Sequence, residues 1–170
     1  MTSVYCIAKT YNQMVQIANH LRASGFSPND ISVLSPNHNT TRDFAIDNST
    51  KTPEGAAVGA GTGAVIGGTL GWLTGLGILA VPGVGPLIAA GPIIAALSGV
   101  AAGGAVGGVS GALVGMGIPE YEAQRYEGRV KDGHILISVH VEDGEEASRA
   151  REIFRDANAE DISTGSEAHV

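Results

Sequence analysis

Glycine recurs at every fourth position through two long segments of this chain, and the spacing limits what those segments can fold into. The first row is Gly55, Gly59, Gly63, Gly67, Gly71 and Gly75, and the second is Gly99, Gly103, Gly107, Gly111 and Gly115. Glycine inside a helix costs about 1 kcal/mol relative to alanine. A row of glycines at helical spacing also makes a groove in which a second backbone can lie. The two rows therefore predict close helix–helix packing.

Charge is confined to the two flanks of the glycine-rich stretch. Residues 55–119 contain no Asp, Glu, Lys, Arg or His and hold 20 of the 25 glycines. The flanks therefore carry all 10 basic and 17 acidic residues, which give a net charge of −7. Nucleic-acid binding requires a basic surface, so this balance argues against a nucleic-acid partner.

The single cysteine, Cys6, excludes an internal disulfide and is predicted to be a small buried hydrophobe. The first ten residues lack the basic region and long apolar core of a secretory signal. We therefore expect both ends of the chain to lie in the cytoplasm.

The N-terminal flank predicts a β–α–β unit. Residues 3–9 alternate as a strand, and residues 31–35 form a second apolar run. Between them, Thr10 and Gln13 have the spacing of a capping box. Apolar residues then follow at helical spacing, and Gly25 is placed to end the helix. The predicted core residues of this helix are Met14, Ile17, Ala18 and Leu21.

The C-terminal flank predicts a second unit of the same kind. A short helix is expected after Pro119, a strand over 134–141, an amphipathic helix over 144–159 and a short strand over 160–164. Two β–α–β units joined by right-handed crossovers form one four-stranded antiparallel sheet with helices on one face. The predicted fold class is therefore α+β, a ferredoxin-like βαβ-βαβ sandwich split by an inserted glycine-zipper α-helical hairpin.

The predicted domain boundaries follow from these segments. They are 1–36 for the first half of the ferredoxin-like domain, 37–53 for a polar linker, 54–118 for the helical hairpin, 119–165 for the second half and 166–170 for a tail. The strands on either side of the insertion are neighbours in this fold, so the insertion must leave and return at nearly the same place.

The insertion is predicted to be two antiparallel helices that meet at the sequence VPGVGP, residues 81–86. Either arm, 55–80 or 87–117, is long enough to exceed the ~30 Å hydrocarbon core of a bilayer. Two environments fit this composition: the inner (cytoplasmic) membrane, with the charge-free turn translocated, or the buried core of a cytoplasmic assembly. Glycines on more than one face of each helix favour a homo-oligomer, with membrane lipid as a further partner if the arms span.

No catalytic or cofactor motif emerges from the sequence. The run GAGTGA at 59–64 lacks the preceding strand and the following acidic residue of a dinucleotide fingerprint. His134 and His140 are about 20 Å apart along one strand, too far to share a metal ion. The sequence therefore predicts no catalytic residues, no metal, no cofactor, no small-molecule substrate and no enzymatic activity.

One face of the predicted strand 134–141 carries His134, Leu136, Ser138 and His140. A ferredoxin-like sheet has helices on one side only, so this mixed face is expected to be open. An open face of this kind pairs with another subunit or holds a ligand.

The flanks resemble the heat-induced general-stress domain, the YflT-like family, over about 95 of 170 residues. The resemblance rests on Gly25-Phe26, Asp30-Ile31-Ser32-Val33, Gly117-Ile118-Pro119, Tyr126-Glu127, Lys131-Asp132-Gly133 and Ala159-Glu160-Asp161. It implies a bacterial stress-associated protein with a glycine-zipper insertion and supplies no catalytic residues. The expected function is non-enzymatic self-assembly at or in a membrane. The alternatives are a soluble shell or filament, or a regulatory module that binds a ligand or protein on the open sheet face.

Overall fold

A computed structural model of the chain describes residues 2–36, 77–81, 85–93, 97 and 108–166. The strands are β1 (Thr2–Ala8), β2 (Ile31–Pro36), β3 (Gly77–Val81), β4 (Gly85–Ala90), β5 (Ile135–Val141) and β6 (Glu160–Ser166). The helices are α1 (Tyr11–Ala23), α2 (Gly108–Gly115), α3 (Glu120–Lys131) and α4 (Gly144–Asp156), with a 3-10 turn at Pro28–Asp30.

The six strands form one antiparallel sheet in the order β3-β4-β2-β5-β1-β6. The predicted α+β class is therefore confirmed. Both predicted β–α–β units are present, and β2 pairs with β5 as expected for the strands on either side of the insertion. The two strands contributed by the insertion, β3 and β4, extend the sheet beyond β2.

The first face of the sheet is covered by α1 and α4. All four predicted core residues of α1 are buried there, together with Cys6 and Phe154. Alternate residues of β1, β2 and β5 supply the sheet side of this core. Burial raises the pKa of the Cys6 thiol well above its ordinary value, so Cys6 behaves as the small hydrophobe that its position predicts.

Each of the four helices α1–α4 in the described part of the chain ends with the same turn. The amide after the turn residue bonds back to the carbonyl five positions earlier, as in Phe26 N to Leu21 O and Ile118 N to Leu113 O. The turn residue adopts a positive φ in all four helices, which favours glycine in three and is met by Asn158 in the fourth. The glycines are Gly25, Gly117 and Gly133.

The second face of the sheet is also covered, which overturns the predicted open face. Helices α2 and α3 pack on it and bury a second apolar core. Its sheet side includes Tyr5, Ile7, Leu34 and Leu136, each 0% exposed. So many large apolar side chains on one face stabilise the fold only when helices exclude water from them.

The prediction of a purely helical insertion is wrong over β3 and β4. Residues 77–81 and 85–90 are strands that pair with each other in an unbroken register from Gly77↔Ala89 to Val81↔Gly85. The prolines and glycines at 81–86 were correctly identified as the point where the chain reverses. The short apolar runs beside them suit a buried strand as well as a helix, and periodicity cannot separate the two. Helix was correctly predicted over α2.

Most of the rest of the predicted hairpin, including the complete first glycine row, lies outside the described residues. So do the linker 37–53 and Gly99, Gly103 and Gly107 of the second row. Within the described ranges, no helix combines the length and the apolar character needed to cross a bilayer.

Candidate functional site

Helix α2 carries the part of the second glycine row that the structure describes. It has three glycines in eight residues, so its intrinsic helix propensity is poor. Packing compensates, because Val109, Ala112 and Leu113 are buried against the sheet and α3. The row residues Gly111 and Gly115 lie on the opposite, exposed side of the helix.

The outward face of α2 is apolar and has space for a neighbour. Val114 lies between the two row glycines and is 44% exposed. A methyl group built on Gly115 meets no atom within 4 Å. The glycine at 115 is therefore not needed for packing within the described part of the chain, although it lowers the stability of the helix that carries it.

A partly buried carboxylate, that of Glu127, fixes α2 to α3. Glu127 Oε2 accepts a hydrogen bond of 2.7 Å from the backbone N–H of Ser110 in the first turn of α2. Its other oxygen pairs with Lys131 Nζ at 2.9 Å. Burial alone would raise the pKa of Glu127, but the bonds from Lys131 and Ser110 outweigh it and hold the pKa below the ordinary 4.5.

Glu127→Gln should therefore destabilise the protein at neutral pH by about 1–2 kcal/mol. This is at the lower end of the ~1.5–3 kcal/mol of a hydrogen bond to a charged group, because the side chain is partly exposed and the amide keeps an acceptor. A lowered folded-state pKa gives stability that is present above the unfolded pKa and is lost as the pH falls through the folded pKa. The difference in unfolding free energy between wild type and variant should be full at pH 7. It should decrease below pH 4.5, the ordinary pKa of the carboxyl group, and vanish below the lowered pKa of the folded state. Urea unfolding at several pH values measures this, and a pH-independent difference would contradict it.

The four predicted sheet-face residues do not form one exposed surface. Leu136 and Ser138 are 0% and 3% exposed beneath the helices, and His140 is half-buried at the end of β5. His134 precedes β5 and is half-buried. The predicted docking face is therefore withdrawn.

Buried hydroxyl groups cluster at one end of the second face. Ser3, Ser32 and Ser138 are each no more than 3% exposed. The Ser3 hydroxyl is hydrogen-bonded to His140 Nδ1 across the β1–β5 pair, and Ser32 Oγ accepts from Ile93 N at 3.3 Å. The first bond joins β1 to β5, and the second joins β2 to the segment after β4.

The Ser3–His140 contact resembles the start of a nucleophile–base pair, but its geometry suits a structural role. Ser3 is 1% exposed, so its hydroxyl cannot meet a substrate from solvent. Nucleophilic serines are activated by a histidine that a third group orients. No side chain in the described ranges hydrogen-bonds the second ring nitrogen of His140. We therefore interpret the pair as a cross-strand hydrogen bond.

An ion-pair network joins α3 to the start of β6. Arg129 bonds Asp161 Oδ2 at 3.0 Å and lies 3.6 Å from Glu160, whose other oxygen pairs with Lys9 at 2.6 Å. Arg125 lies 3.5 Å from Asp161. The bond from Lys9 is the largest cause that lowers the pKa of Glu160. Every cation of this network has an acidic partner, so it holds elements together and leaves no free basic site within itself.

Tyr126 of α3 also holds strand β6 in place. Its hydroxyl bonds the backbone carbonyl of Asp161 and the hydroxyl of Ser163. Burial is the main cause that raises its pKa well above the ordinary value of 10. Next to this network, His134 Nδ1 is buried and has no hydrogen-bond partner among the described residues.

Sequence reasoning missed this network and the hydroxyl cluster. Arg125 and Arg129 stand four residues apart on α3, a spacing that places both on one helix face. Their acidic partners are more than 30 residues away, and only the sheet order brings them near. Within the described ranges, no group of three His, Cys, Asp or Glu side chains is placed to hold a metal ion.

Comparisons of the chain with models of protein families, with curated proteins and with solved structures return no match. The resemblance of the flanks to the general-stress family therefore stays a prediction.

Proposed function

We propose that this chain is a non-enzymatic protein that assembles with copies of itself through its glycine rows. The observation that supports the proposal is the orientation of α2. This helix directs its larger apolar residues into the core and leaves Gly111 and Gly115 exposed beside Val114. A glycine row on an outer face allows a second helix backbone to approach closely.

We assign the four strands β2-β5-β1-β6 to a ferredoxin-like arrangement split by the glycine-rich insertion. Their order and antiparallel pairing support the assignment. In keeping with the resemblance of the flanks, we propose a role in a bacterial stress response.

We place the assembly outside the bilayer. A spanning hairpin needs its turn at 81–86 on the far side of the membrane. Strands β3 and β4 flank that turn and belong to the same sheet as β2, which supports a location of the turn beside the domain. If the turn lies beside the domain, a membrane-spanning form of the protein would need other segments to cross the bilayer.

The test is a graded series at Gly115. Gly115→Ala should stabilise α2 by up to about 1 kcal/mol, because alanine is the better helix former. A Cβ added at Gly115 meets no atom within 4 Å, and the longer side chain of Gly115→Leu should block a close backbone. We therefore expect alanine to weaken and leucine to abolish assembly, as measured by size exclusion and sedimentation without detergent. Gly63→Leu with Gly67→Leu should act in the same way through the first row.

Gly128→Leu is the matched control. Gly128 also lies in a helix and has open space around it, but it is outside both rows. It should leave assembly unchanged. Wild-type particles from Gly115→Leu would sink the proposal, and material that pellets with membranes until detergent is added would favour the membrane alternative.

A further inference from the structure

The two edges of the sheet differ in how they are protected. The outer strand β6 begins with Glu160 and Asp161, whose charges are held by Lys9, Arg125 and Arg129. Its pairing with β1 shifts register between Tyr5 and Ile7, and Asp161 has a φ of 49°. Charges and irregularities of this kind discourage a further strand from adding to an edge.

The opposite edge, β3, has none of these protections. Its sequence is GILAV, without charge or proline, and its register with β4 is regular over all five residues. No strand among the described residues pairs with its outer side. A regular, uncharged edge strand is a template for pairing with another chain.

Two prolines show which backbone groups of β3 point outward. Antiparallel neighbours alternate between pairs that exchange two hydrogen bonds and pairs that exchange none. Proline has no N–H, so Ala80↔Pro86 must be a pair of the second type, and Ile78↔Ile88 is another. The N–H and C=O groups of Ile78 and Ala80 therefore point away from β4, to the outer side of β3.

The β2–β4 ladder independently indicates the same direction for the backbone groups of β4. Pro36 faces Leu87 there and cannot donate, so Leu87 directs its backbone groups to β3 and Ile88 directs its groups to β2. This agrees with Leu79↔Leu87 as a hydrogen-bonded pair of the β3–β4 ladder.

We propose that β3 pairs antiparallel with β3 of a second copy of this chain, about a twofold axis at residue 79. On each side of the axis, Ile78 of one copy then faces Ala80 of the other copy. The two outward N–H and two outward C=O groups of each copy form four hydrogen bonds. The strand is self-complementary. It carries no charged residue, so no like charges of the two copies, each of net charge −7, meet at the contact. Because β6 resists a further strand, the contact closes as a dimer.

This inference rests on the proposed self-association but uses a different surface, so the two can fail separately. The test is a disulfide cross-link in the full chain, in which the wild-type Cys6 is buried and gives the baseline. Leu79→Cys places two thiols opposite each other in a pair without mutual hydrogen bonds, where Cα atoms lie about 4.5 Å apart. That separation is within the range that a disulfide spans.

Val81→Cys is the matched control on the same strand. In the proposed dimer its two copies are offset by four residues, about 14 Å, which is beyond disulfide reach. Mild oxidation should convert most of Leu79→Cys to a covalent dimer and leave Val81→Cys at the wild-type baseline. Equal cross-linking of the two variants, or none of either, would overturn the proposal.

Ala80→Pro tests the hydrogen bonds themselves. It removes an outward N–H without taking a bond from the β3–β4 ladder, so it should suppress cross-linking of Leu79→Cys at least tenfold. Persistence of the cross-link would overturn backbone pairing. Gly115→Leu should leave the cross-link intact, and its loss there would mean that β3 is no separate interface. Glycine variants that keep wild-type assembly, with the cross-link still present, would reject the proposed function alone.

Discussion

Leu136→Ala should lower the free energy of unfolding by about 2–5 kcal/mol, the range for removal of a buried leucine side chain. Leu136 is 0% exposed at the centre of the second core, beneath α2 and α3. On an open sheet face the same change would cost little, since surface substitutions fall within about 0.5 kcal/mol. The variant therefore separates the covered face from the open face that the sequence predicted.

Urea unfolding followed by far-ultraviolet circular dichroism measures the change at Leu136. Tyr121→Ala is the control, because Tyr121 is 68% exposed on α3, one of the helices that cover Leu136. A difference of less than 1 kcal/mol between the two variants would show that α2 and α3 do not exclude water from this face.

Phe154→Ala should cost about 3–5 kcal/mol through the first core. Phe154 is 0% exposed on α4, among residues of α1 and the sheet. For a protein of this size, each kcal/mol shifts the midpoint of thermal unfolding by about 2–4 °C, so a fall on the order of 10 °C is expected. Glu152→Ala, an exposed position on the same helix, should change little.

The double variant of Leu136 and Phe154 tests whether the two cores act independently. The residues lie on opposite faces of the sheet and belong to different cores. Effects at sites without shared partners add within about 0.5 kcal/mol. A large departure from the sum would mean that the sheet transmits packing changes from one face to the other.

Local signals in the flanks were sufficient to predict their elements. Thr10 Oγ1 accepts from Gln13 N as the capping pattern requires, and Gln13 Oε1 accepts from the backbone N–H of Lys9. Gly25 has the positive φ expected of the residue that ends α1. These features depend on residues close in sequence, so pattern and propensity are enough to find them.

The covered face and the strands β3 and β4 could not be predicted in the same way. Tyr5, Ile7 and Leu34 are alternate residues of predicted strands, but the strand 134–141 carries polar residues on the same face, which favoured an open surface. An apolar run of five or six residues is consistent with either helix or strand until a neighbour is known. In this chain the neighbour is β2, which pairs with β4 across more than 50 residues of sequence.

The pairing of Thr2 with Ser166 brings the two described ends of the chain to one corner of the sheet. Strand β1 is four strands away from β3, or about 19 Å at the usual spacing. A fluorescent protein or affinity handle attached next to Thr2 or Ser166 would therefore emerge from the same corner, away from the β3 edge. Each copy in an assembly would display such cargo in an equivalent position, which suits the chain to use as a carrier.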